Sequence, residues 1–180
     1  MLEIDFSMND DDIGETRRFI EKGELPPELA VTPYHWEPRA FVSLNVDGAI
    51  LDFCQSSIER VPVLEFAMQL HEIVQNLKVG EERELFILLS GLSRRFRRVD
   101  NDTIEISAYF DAVEHNYLGS FSELKESCER FCMKLYGEIL LHVPEYFDYI
   151  DRQYPGTPEQ PKVSSRDYFR ELLVPKAKSD

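Results

Sequence analysis

Asp47-Gly48 stands between two alternating segments and limits the fold more sharply than any other feature of the chain. On one side Val42, Leu44 and Val46 alternate with Ser43, Asn45 and Asp47; on the other, Ala49-Ile50-Leu51-Asp52-Phe53 is again extended in pattern. A two-residue turn demands the positive φ angles that Asp-Gly supplies, so Ala40 to Phe53 is predicted as an antiparallel hairpin. Leu2, Ile4 and Phe6 set against Glu3 and Asp5 predict another half-buried strand. Asp100-Asn101-Asp102 reads as a turn between a strand from Arg94 to Val99 and a clean alternation over Thr103–Phe110. The apolar run inside Glu84 to Ser90, Leu85-Phe86-Ile87-Leu88-Leu89, is short enough for a central strand.

From Pro62 the period becomes helical, with Val63, Phe66, Ala67, Leu70, Val74 and Leu77 on one face and Gly80 just past the end. The longest helix is predicted from Ser120, where Ser120 and Glu123 form an S-x-x-E capping box; Phe121, Leu124, Cys128, Phe131, Leu135 and Ile139 follow at helical spacing. Pro144 ends or kinks it, and Glu145 to Tyr154 predicts a further short helix. Near the start, the acidic run Asn9-Asp10-Asp11-Asp12 precedes a helix from Glu15 to Lys22, and four prolines then break up a loop that holds Tyr34 and Trp36. Strands in antiparallel runs with helices grouped late give the α+β class: a mostly antiparallel sheet of about five strands packed against two main helices. Residues 1–154 are expected to form one α+β domain, and 155–180 a Pro-rich linker with a C-terminal amphipathic segment.

Composition narrows the class. Apolar residues make up 43 % and aromatics 12 % of 180 residues, enough for a packed core and against intrinsic disorder. Thirty-four acids against 20 bases leave a net charge of −14, which argues against a nucleic-acid partner, whose phosphates draw on positive charge. No apolar run approaches the roughly 20 residues that span a bilayer, and the first residues lack a secretory signal, so a cytoplasmic protein with no membrane partner is expected. Cys54, Cys128 and Cys132, an odd number, suit reduced thiols. Cys128 and Cys132 lie one helical turn apart, yet zinc would need two more ligands and no second Cys or His pair sits at ligand spacing; they read as small buried thiols, with no metal and no cofactor.

No P-loop, dinucleotide fingerprint, nucleophile elbow or C-x-x-C pair is present, and His71-Glu72 lacks its second histidine, the position being Gln75. The chain is therefore expected not to be an enzyme; were it one, His71 or His115 near carboxylates would carry the site. Arg94-Arg95-Phe96-Arg97-Arg98 could grip phosphates, with Phe96 stacking a base, but cross-strand ion pairs with the strand bearing Glu105 and protection of a sheet edge account for it better. Residues 1 to 30 hold nine acids and three bases, and Asp100, Asp102, Glu105, Asp111 and Glu114 follow with no base among residues 100–115. Acids beside aromatics suit a basic protein partner, since charge speeds encounter and aromatics anchor the contact. The candidate contact residues are Asp100, Asp102, Asp111 and Glu114, and Asp148 and Asp151 beside Tyr146 and Tyr149.

The hairpin Phe41-Val42-Ser43-Leu44-Asn45-Val46-Asp47-Gly48, the helix from Val63, and the helix containing Glu129-Arg130-Phe131-Cys132-Met133-Lys134-Leu135 resemble bacterial immunity proteins of contact-dependent inhibition and related polymorphic toxin systems. The resemblance spans Phe41 to Asp151. It implies a cytoplasmic, non-catalytic protein that binds and occludes a cognate toxin domain, often a basic nuclease. That family shares no diagnostic motif, so no functional residue carries over. A bacterial protein-interaction or regulatory domain with another partner is the alternative.

Overall fold

A computed structural model describes residues 1–22, 38–53, 60–87, 92–110, 113–153, 156–157, 160–161 and 164–173. In chain order the elements are β1 (Leu2–Ser7), α1 (Asp10–Lys22), β2 (Arg39–Val46), β3 (Ala49–Asp52), β4 (Val61–Pro62), α2 (Val63–Asn76), β5 (Glu82–Ile87), β6 (Leu92–Arg98), β7 (Thr103–Phe110), β8 (Val113–Ser120), α3 (Phe121–His142), α4 (Tyr146–Gln153), β9 (Gly156–Thr157), β10 (Gln160–Pro161) and α5 (Ser165–Leu173). The class is α+β with antiparallel pairing throughout, as expected. The strands do not form one sheet of about five. Among the described residues they divide into a four-stranded sheet of β1, β2, β3 and β4, a second in the order β5-β6-β7-β8, and a small β9–β10 ribbon.

The first sheet grows from the hairpin. Asp47 (φ 49°) and Gly48 (φ 90°) both take positive φ, and Val46 pairs with Ala49 and Leu44 with Leu51. β1 joins the other side of β2, Leu2 opposite Val46 and Phe6 opposite Val42. The inward face, Leu2, Ile4, Phe6, Val42, Leu44, Val46 and Leu51, is buried against α3 and α2. Phe131 sits at the centre, its ring 5.1 Å from Phe6 and 5.4 Å from Phe66, which in turn lies 4.8 Å from Phe53. Edge-to-face packing of this kind adds to the burial itself.

Both sheets lay an edge under a helix. On β1, the Leu2 and Ile4 amides donate to the Glu123 carboxylate (2.8 Å) and the Ser127 hydroxyl (2.7 Å), and Lys134 Nζ donates to the Phe6 carbonyl (3.3 Å) and to Asp5 (2.7 Å). On β5, the Gln69 amide of α2 bonds both backbone groups of Phe86, at 3.0 and 2.8 Å. Unpaired strand edges template aggregation, and here helix side chains close them. The run containing Leu85 was expected in the middle of a sheet; it lies at the edge, with Phe86 facing out. β6, which bears the arginines, is interior, so edge protection does not explain them.

Helix ends also depart from expectation in informative ways. The acidic run belongs to the first turn of α1: Asn9 Oδ1 accepts from the Asp12 amide (2.8 Å) and Asp12 Oδ2 from the Asn9 amide (3.1 Å), a reciprocal cap. Ser120 caps α3 by accepting from the Glu123 amide, but Glu123 turns to Leu2 and does not complete the box. The helical register of α3, with Cys128 and Phe131 on the apolar stripe, predicts Glu129 in water; it is half-buried. α5 is amphipathic as read, and Phe169 is buried 5.6 Å from the Phe147 ring. Cys54, Tyr34, Trp36 and most of the Pro-rich segment lie outside the described residues. No helix among those residues is long and apolar enough to cross a membrane.

Candidate functional site

Two places in this fold combine chemistry with access. The first is the outer face of the second sheet. Strand alternation and register bring Glu82, Glu84 and Phe86 of β5, Arg95 and Arg97 of β6, Glu105 and Tyr109 of β7, and Glu114 and Leu118 of β8 to one side. The opposite side, with Leu85, Ile87, Phe96, Ile104, Ile106 and Ala108, is core. Three large side chains on the outer face stay in solvent: Phe86 at 42 %, Tyr109 at 53 % and Leu118 at 59 % exposure.

The two guanidiniums of that face are already engaged. Arg95 donates to Tyr109 Oη (3.1 Å), lies 5.7 Å from that ring, and pairs with Glu114 and with Glu82 (3.6 Å). Arg97 grips Glu105 in a two-point fork at 3.1 and 3.0 Å. The bond to Tyr109 holds the Arg95 pKa above its ordinary value, and the bond to Glu105 does so for Arg97. Four carboxylates against two guanidiniums (4 − 2) leave the face with two excess negative charges. The other two arginines of the cluster point the other way. Arg94 is buried 5.4 Å from the Phe53 ring centroid. Arg98 stacks 4.0 Å from Phe121 and donates to the Leu77, Asp100 and Asn101 carbonyls.

The predicted contact residues separate into three places. Asp100 Oδ1 accepts from the Asp102 and Thr103 amides (2.9 and 2.7 Å), and Asp102 accepts from the Ser122 amide (2.9 Å) and the Ser120 hydroxyl (3.1 Å). These bonds, first those from the Asp102 and Ser122 amides, hold both carboxyls below the usual carboxylate range. The pair ties the β6–β7 turn to the start of α3. Glu114 is on the outer face opposite Tyr109, about 20 Å away at a strand rise of about 3.3 Å per residue. Asp148 is exposed 3.6 Å from Arg166, and Asp151 holds the first turn of α5 by accepting from the Ser165 amide (2.9 Å). Tyr146 and Tyr149 are buried at 2 and 3 % exposure, so they are core residues and not surface anchors. Their i, i+3 spacing puts both on the inward side of α4. Asp111 lies outside the described residues.

The second place lies between α2 and α3. Cys128 and Cys132, each 1 % exposed, face α2 from successive turns, and one imidazole nitrogen of His71 completes a trio in which all ligand atoms lie within 4.8 Å of one another. The close approach of the two thiols, with burial, pushes the Cys128 pKa up, and the same approach, aided by His71, lowers that of Cys132. His71 also lines a groove of about 500 Å³ with Glu65, Gln69, Glu72 and Tyr168. Burial raises the Glu65 carboxyl. A substrate in the groove would meet imidazole and carboxylate; the sulfurs sit behind, in the core. The i, i+4 thiols were visible in sequence. His71 is marked in sequence only by its pairing with Glu72; the signal that links it to the thiols is its place on α2 four residues after Ala67 and three before Val74, both buried. His115 stands apart on exposed β8.

Among the described residues these features define an α+β protein with two four-stranded antiparallel sheets and two main helices, an acidic sheet face, and a His–Cys–Cys trio of two buried thiols and a half-buried imidazole. No family model matches the chain, and no curated protein or solved structure matches it either.

Proposed function

We propose that this chain is a non-catalytic binding protein of the toxin-neutralising immunity type, which docks a basic, nuclease-type toxin domain on the outer face of its second sheet. One observation carries the reading: Phe86, Tyr109 and Leu118 stay exposed among Glu82, Glu84, Glu105 and Glu114, while the arginines between them are paired in place. Interfaces concentrate their energy in such aromatic and aliphatic anchors, and surrounding charge sets the encounter rate and the choice of partner. The net charge of −14 extends the same field over the molecule. The reading places the protein in the cytoplasm, where the toxin would act, and assigns it steric and electrostatic occlusion without chemistry of its own.

The test is co-purification with the basic C-terminal domain of a secreted toxin encoded beside its gene, followed by an assay of that domain's activity. A stable complex with suppressed activity is expected, and Tyr109→Ala with Glu114→Lys should weaken both. Absence of a complex, or a complex indifferent to both changes, overturns the proposal.

A further inference from the structure

We propose that His71, Cys128 and Cys132 form a binding site for a thiophilic divalent cation, zinc by preference, at the seam of α2 and α3, with its fourth coordination position toward the groove. The argument begins with distance. Around a tetrahedral zinc, bonds of about 2.3 Å to sulfur and 2.0 Å to nitrogen set ligand atoms roughly 3.5–3.8 Å apart. The three ligand atoms already lie within 4.8 Å of one another, so small side-chain rotations close the set. Their chemistry agrees: two thiolates and an imidazole suit zinc or cuprous ion and disfavour magnesium or calcium, which take oxygen.

Placement supports the same reading. The large buried residues of α2 and α3 are apolar, Phe66, Leu70, Leu124 and Phe131 among them, and half-buried Glu129 lies close enough to act on both thiols. An imidazole and two sulfurs converging there are a departure from that pattern. His71 reaches the groove, so an ion has a route in, and Glu65 and Glu72 at the groove draw cations to it. Three protein ligands with a fourth position open is the arrangement that admits water or an outside donor. Binding would break two S–H bonds, form two Zn–S bonds and one Zn–N bond, and release two protons to solvent. The dication then balances two thiolates, leaving no net charge buried. Such an ion would pin α2 to α3 beneath the first sheet. The proposal stands apart from the docking reading and fails or holds independently of it.

The experiment uses the full chain, stripped with chelator under reductant and titrated with Co²⁺ as a spectroscopic probe, then with Zn²⁺. Expected are one equivalent bound, a cobalt–thiolate charge-transfer band that one equivalent of zinc abolishes, and a higher Tm with zinc. His71→Gln, at a half-buried position, should keep the far-ultraviolet circular dichroism spectrum and lose at least 10-fold in zinc affinity. Cys132→Ala should lose the charge-transfer band. If either variant fails to fold, the band and the Tm rise of the unaltered chain still decide. Cobalt bound without a thiolate band, zinc bound equally well by folded variants, or cuprous ion taken where zinc is not, overturns the assignment.

Discussion

Phe131 illustrates how one side chain can join three elements. Its ring meets Phe6 of β1 and Phe66 of α2 edge to face, so truncation opens a cavity that no single neighbour can fill. Phe131→Ala should cost about 3–5 kcal/mol in denaturant unfolding, against well under half of that for Glu129→Ala two positions away. Asp102 acts by charge and hydrogen bonding. Its folded pKa lies below the ordinary value, so the stability it adds is present above about pH 4 and disappears as pH falls through the folded pKa. Asp102→Asn should therefore lower Tm at neutral pH and make the acid-side fall of Tm shallower than in the unaltered chain. A parallel fall in both would show that Asp102 does not couple the β6–β7 turn to α3.

At the scale of elements, the covered strand edges make a direct test. Ser127→Ala leaves the buried Ile4 amide without its acceptor, at a cost of about 1–3 kcal/mol, and hydrogen exchange at Ile4 should quicken while that at Val42 changes less. Unchanged exchange at Ile4 would mean that α3 only packs on β1 without closing it. Legibility followed burial. Thr103–Phe110 could be read because its alternate residues face core and solvent, and α3 because its apolar stripe is continuous. β8 could not be read: as an outer strand exposed along most of its length, Val113-Glu114-His115-Asn116-Tyr117-Leu118 carries no alternation of polarity. β5 misled for the opposite reason, since an apolar run implies cover on both faces and Phe86 has it on one only. The aromatics of α4 misled because their helical spacing, and not their acidic neighbours, decides which way they face.

For the whole molecule, the proposed interface predicts separable kinetics. Association with the basic toxin domain should be fast at low salt and slow as screening shortens the field to about 8 Å at physiological ionic strength. Glu84→Lys or Glu114→Lys should mainly slow association, while Tyr109→Ala or Phe86→Ala should mainly speed dissociation. Salt-independent association would confine the acidic surface to a solubilising role. The face that makes this prediction could not be drawn from sequence, because four strands whose order depends on long-range pairing must first come together. The His–Cys–Cys trio was hidden for the same reason, its third member arriving from another helix. One consequence concerns time. β1 can pair with β2 once Val46 has emerged from the ribosome, but the groups that close its far side reach to Lys134, 134 − 46 = 88 residues later. At about 5–20 residues per second of synthesis, the nascent sheet holds an open strand for roughly 4–18 s. Every new copy of the protein therefore passes through an interval in which neighbouring ribosomes on one message could stitch their products together, and the rate of translation across α2 and the second sheet sets how long that hazard lasts.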